Sequence, residues 1–99
     1  MLLHIALQEG FHHDDVRVLV DAREALANTD VTTRRQTGYA ASVDIDVTRS
    51  PVVVEVVLRT RGVTQRNSVS VDRPTYVGVS LTPEGTLVWK TSYEPFGYL

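Results

Sequence analysis

The sequence predicts an all-β domain, a single small antiparallel β-sandwich of the immunoglobulin-like or C2-like kind with about seven or eight strands. Apolar and polar residues alternate with a period of two in segment after segment, which is the period of half-buried strands. Turn-forming residues recur roughly every ten positions, and no stretch carries the 3.6-residue period of a long helix. A small β-barrel leaves the same pattern in each strand and stands as the alternative.

Ninety-nine residues suit one domain spanning 1–99, and a 42% hydrophobic composition suffices for its core. Leu3, Ile5 and Leu7 face one way with His4, Ala6 and Gln8 opposite, and Val16, Val18 and Val20 face away from Arg17, Leu19 and Asp21. Glu9 to Asp15 is the polar loop between these strands. Asp21 to Glu24 lies where a hairpin turn belongs and leads into a short strand around Ala25 to Asn28. A helical turn capped by Asp21 is the competing reading there, because Arg23 to Ala27 contains good helix formers. Thr29 to Gly38 is polar and reads as a long connection from one sheet to the other.

Alternation returns at Ala41, with Val43, Ile45 and Val47 on the same face and Ser42, Asp44 and Asp46 opposite. Pro51 breaks the chain before the strongest strand, where Val52, Val54, Val56 and Leu58 line one face and Val53, Glu55, Val57 and Arg59 the other. Valine on both faces marks a central or covered strand. Arg61 to Val63 turns the chain into a polar strand that places Gln65, Asn67, Val69 and Val71 together. Val77, Val79 and Leu81 form the next inner face, Thr82-Pro83-Glu84-Gly85 is a tight turn, and Thr86 to Thr91 closes the hairpin with Leu87 and Trp89 inward. Residues 92–99 form an aromatic tail.

Ten Lys and Arg against twelve Asp and Glu leave a formal net charge of -2, without the basic footprint that a phosphate backbone requires, so no nucleic-acid partner is expected. The absence of cysteine excludes disulfides, thiolate zinc sites and a cysteine nucleophile. No apolar run approaches the roughly 20 residues that span a bilayer, and Met1 to Leu7 lacks the basic start and long apolar run of a signal peptide. The expected location is the cytoplasm, with no membrane partner.

Four groups of residues are candidates for function. His12, His13, Asp14 and Asp15 concentrate imidazole and carboxylate in one loop and could hold a divalent metal, the one cofactor the sequence suggests. Neighbouring residues on extended backbone point opposite ways, however, so His12 and His13 are poorly placed to share an ion. Asp44 and Asp46, together with Asp14 and Asp15, suggest the calcium sites of C2 sandwiches, but those aspartates sit on loops rather than along a strand; an exposed polar face explains them. Arg34, Arg35 and Tyr39, in the long connection, suit a carboxylate, a phosphate or an aromatic ring. Val53 and Val57, with Tyr93, Phe96, Tyr98 and Leu99 of the tail, are surplus apolar surface and the expected interface, the tail either closing the end of its own core or docking on a partner. No G-x-S-x-G, phosphate loop or other catalytic or cofactor motif is present.

The segment Val16-Arg17-Val18-Leu19-Val20-Asp21-Ala22-Arg23-Glu24, followed after a polar gap by Val52-Val53-Val54-Glu55-Val56, resembles the surface β-modules of the PEGA kind over well under half the chain. Those modules usually place Gly after the Asp, where this chain has Ala22. The resemblance implies a binding or spacer sandwich without catalytic residues. The expectation is a non-enzymatic interaction module that self-associates or contacts another protein. The alternative is a metal- or small-ligand-binding module centred on the loop Glu9 to Asp15.

Overall fold

β-branched side chains at alternate positions favour extended backbone and give each strand one apolar face to bury. A computed structural model describes residues 1–97 and shows eight such strands: β1 (Leu2–Leu7), β2 (Asp14–Val20), β3 (Arg23–Val31), β4 (Ala41–Asp46), β5 (Val52–Leu58), β6 (Val63–Val69), β7 (Thr75–Leu81) and β8 (Leu87–Ser92). They form two four-stranded sheets, ordered β4-β1-β7-β8 and β3-β2-β5-β6, packed as a β-sandwich. Each sheet ends in two edge strands, so the structure is not a closed barrel. All pairings are antiparallel except that of β1 with β7. Among the described residues no helix is long and apolar enough to cross a membrane.

The apolar faces marked by alternation meet in the core. Leu3, Ile5 and Leu7 of β1 and Val77, Val79 and Leu81 of β7 are buried in one cluster with Val16 and Val18 of β2 and Val52, Val54, Val56 and Leu58 of β5. Burying one such side chain contributes about 1.5–3 kcal/mol, so a one-residue slip of any central strand is forbidden energetically. Ala6 departs from the pattern. It lies on the outer face yet is fully buried, because β1 is a central strand with Ser42 and Gly78 paired on either side of Ala6.

β3 is a nine-residue strand, longer than the segment around Ala25 to Asn28 that alternation marks, and it contains no helical turn. Its pairing with β2 is interrupted between Asp14 and Val16 and again between Val18 and Leu19. Leu26 and Val31 are both buried although an odd number of positions apart, which an unbroken strand would place on opposite faces; the bulge between them restores the match. The crossover to the other sheet is accordingly 32–40 rather than Thr29 to Gly38.

The β2–β3 turn is Asp21-Ala22, with Val20 paired to Arg23 and both turn residues left-handed at φ 49° and 67°. This is the two-residue hairpin geometry whose twist matches its strands, and it normally takes Gly at the second position. Ala22→Gly is expected to raise stability by about 0.5–1 kcal/mol in urea unfolding, the relief of the Ala22 backbone exceeding the added freedom of the unfolded chain. Gly10 is the opposite case. Its φ is +90° and a Cβ there would stand 1.7 Å from the carbonyl oxygen of Leu81, in backbone that cannot rotate away. Gly10→Ala is expected to cost about 3 kcal/mol by the same measurement.

Candidate functional site

The loop before β2 is organised by one buried carboxylate. Asp14 is 2% exposed. Its Oδ1 accepts from Arg61 Nε at 2.8 Å and from Thr60 Oγ1 at 2.9 Å, and its Oδ2 accepts from the His12 backbone N–H at 2.8 Å and from Arg61 Nη2 at 3.3 Å. Burial by itself pushes the Asp14 carboxyl up, but the hydrogen bonds from Arg61, His12 and Thr60 and the guanidinium charge outweigh it and hold the group below its ordinary value. Arg61 is raised in turn by its hydrogen bond to Asp14. The carboxylate therefore ties the start of β2 to the β5–β6 turn.

The four loop residues read as metal ligands are thus put to different uses. Asp14 points inward to Arg61, while the backbone carbonyl of Asp15 accepts from the Arg59 N–H at 2.9 Å. His13 is left-handed at φ 52°, which brings its ring to 4.3 Å from that of His12, between centroids, instead of directing the two apart as extended backbone would. The His13 Nδ1 is bonded to the carboxylate of Asp30, itself left-handed in the β3 bulge. Among the described residues no three His, Asp or Glu side chains converge on a point where a metal ion could sit. Asp44 and Asp46 lie exposed along the edge strand β4, where Asp44 meets His4 Nδ1 at 2.5 Å and Asp46 the N-terminal amine at 2.6 Å.

Arg34 and Arg35 are exposed in the crossover, and a bridge between the backbones of Arg34 and Tyr39 closes their turn. The Arg34 carbonyl accepts from the Gly38 N–H at 2.8 Å, and the Tyr39 hydroxyl lies 3.0 Å from Ser42 Oγ. The turn thus fastens Tyr39 to β4 and leaves both guanidinium groups in solvent.

The expected interface is divided between two outer faces. Val53 is 42% exposed on the outer face of the β3-β2-β5-β6 sheet, with half-buried Val57 on the same strand and Leu19 on β2. Two ion pairs flank them, Arg17 with Glu24 at 2.9 Å and Arg66 with Glu55 at 3.4 Å. The tail lies on the other sheet. Phe96 meets the Tyr76 ring edge-on at 6.4 Å, Lys90 Nζ stands 5.8 Å from the Phe96 centroid, and Arg73 covers the Tyr93 ring at 4.5 Å. Phe96 therefore packs on the outer face of the β4-β1-β7-β8 sheet and not beside Val53 and Val57, while Tyr93 is held by Arg73 of the β6–β7 connection. Tyr98 and Leu99 lie outside the described residues.

This second face carries a row that sequence reading missed. Asp44, His4 and Tyr76 stand side by side on β4, β1 and β7, with the His4 and Tyr76 rings 5.6 Å apart and Phe96 beyond them. The row depends on cross-strand register between segments 40 and 72 positions apart, which no local pattern encodes.

No family model, curated protein or solved structure matches the chain. The likeness to PEGA-type modules rests on its short segments alone.

Asp14→Asn is expected to lower stability by about 2–3 kcal/mol at pH 7, since it removes the charge that Arg61 and the loop donors were placed to meet. Because the folded-state pKa of Asp14 is lowered, its contribution is fully present above the ordinary value of 3.8 and is lost as pH falls from there through the folded value. Urea unfolding of both chains from pH 7 to pH 2 should show their stability difference shrinking only below about pH 4.

Proposed function

We propose that the protein is a non-enzymatic interaction module, an immunoglobulin-like use of the sandwich, that pairs with a second copy of itself through the outer face of the β3-β2-β5-β6 sheet. The observation that carries this reading is Val53, 42% exposed on a central strand, where an unpartnered sheet normally presents a polar side chain. Val57 and Leu19 extend the patch on either side of Glu55 and Arg17.

Charge favours a copy of this chain as the occupant. Arg17 and Arg66 alternate with Glu24 and Glu55, so a two-fold axis can bring each sign opposite the other, whereas a face of one sign would repel its copy. The molecule measures 33 × 30 × 20 Å, and its broad face can supply the ~800 Å² per partner of a standard interface.

Light scattering is expected to give twice the 11.0 kDa chain mass for the wild type and the single-chain mass for Val53→Arg, which should keep its fold because Val53 lies outside the buried core cluster and lose only the stabilisation that association supplies. A monomeric wild type, or a Val53→Arg chain that keeps the dimer mass, overturns the reading.

A further inference from the structure

The sandwich is open along one side, where the edge strands β3 and β4 face each other. Val43 and Ile45 of β4 point inward like Leu3 and Ile5 of β1, yet they remain half-buried where the β1 residues are fully covered. Beside the register shift between Val18 and Leu19, Arg23 and Glu24 of β3 are exposed. A slot of about 570 Å³ lies between the β2–β3 turn, β4 and the β4–β5 loop. Besides Val43 and Ile45, its apolar surface comes from Val20, Ala25, Val47 and Val52. That volume falls in the range of roughly 300–1,000 Å³ typical of small-molecule sites.

The charges around the slot are unequal in a way that their count conceals. Four acidic residues border it, Asp44 and Asp46 with side chains on the outward side of β4, and each is engaged within the molecule. Asp21 accepts from the Val53 N–H at 2.9 Å, Glu24 pairs with Arg17 at 2.9 Å, Asp44 with His4 at 2.5 Å and Asp46 with the N-terminal amine at 2.6 Å. The two guanidinium groups in the lining, Arg23 and Arg49, have no carboxylate partner among the described residues. A ligand entering the slot thus meets the half-buried Val43 and Ile45 side chains within a mixed polar and apolar lining, and two arginines without a carboxylate partner, planar donors suited to a carboxylate.

We propose that this slot binds an amphipathic monoanion, an unbranched acyl chain with a carboxylate head, the chain lying on Val43 and Ile45 and the carboxylate held by Arg23 and Arg49. The slot adjoins the Val53 face through Asp21 and Glu24, but the proposal uses neither Val53 nor a second copy and does not rest on self-association.

The test is titration of the full isotope-labelled chain with hexanoate, octanoate and decanoate below their micelle concentrations, followed by amide chemical shifts. Decanoate is expected to shift Ala25, Val43 and Ile45, and each pair of added methylenes should tighten binding by about tenfold. Arg23→Ala with Arg49→Ala should weaken decanoate by about tenfold or more, with the melting temperature unchanged because both side chains are exposed. Decyltrimethylammonium, the same chain with a cationic head, should bind far more weakly than decanoate. Overturning results are no binding, shifts centred elsewhere, affinity independent of chain length, equal binding of the cationic probe, or no response to the double substitution.

Discussion

The structure depends on the burial of the β1–β7 pair against the β2–β5 pair. These four are the central strands of their sheets, and their inward residues are almost all Val, Leu or Ile at 0–4% exposure, apart from Val20 at 8%. None of the four is joined to its central partner by a tight hairpin. β1 pairs with residues 75–79 in parallel and β2 with residues 54–58, so both central pairings join distant parts of the chain. Apolar burial must therefore offset the entropy of closing long loops. The three hairpins β2–β3, β5–β6 and β7–β8 then add edge strands to a seam already determined.

Departures from regular geometry concentrate next to this seam, in the β2–β3 region. The four left-handed residues other than glycine among the described residues are His13, Asp21, Ala22 and Asp30, at the two ends of that hairpin. At one end, His13 and Asp30 bond to each other beside the Asp14 carboxylate. At the other, the left-handed Asp21-Ala22 turn and the neighbouring register shift border the slot between β3 and β4. The tied loop and the slot thus lie at opposite ends of one hairpin.

The two outer faces differ in chemistry. The β3-β2-β5-β6 sheet presents valine and leucine between paired charges, while the β4-β1-β7-β8 sheet presents the Asp44, His4 and Tyr76 row with the tail laid across it. Phe96 on Tyr76 covers part of the second face from within the chain, and nothing among the described residues covers Val53. That asymmetry is why the self-association reading rests on Val53 and not on the tail.

The sequence by itself determined the all-β class, since alternation in β1, β2, β5 and β7 reports directly which side chains leave water, and turn chemistry at Thr82 to Gly85 limits where strands end; two open sheets rather than a closed barrel were decided by strand pairing. It also marked Val53 and Asp14 as residues to explain. It could not resolve β3, because a bulge shifts the two-residue period and leaves Leu26 and Val31 out of phase. Only the tertiary structure decided that Arg61 would neutralise Asp14, that His4 would stand between Asp44 and Tyr76, and that Arg23 and Arg49 would share one slot. Each of these joins segments distant along the chain. Such pairs are set by strand order and register, which depend on the packing of the whole molecule and leave no periodic trace in any one segment.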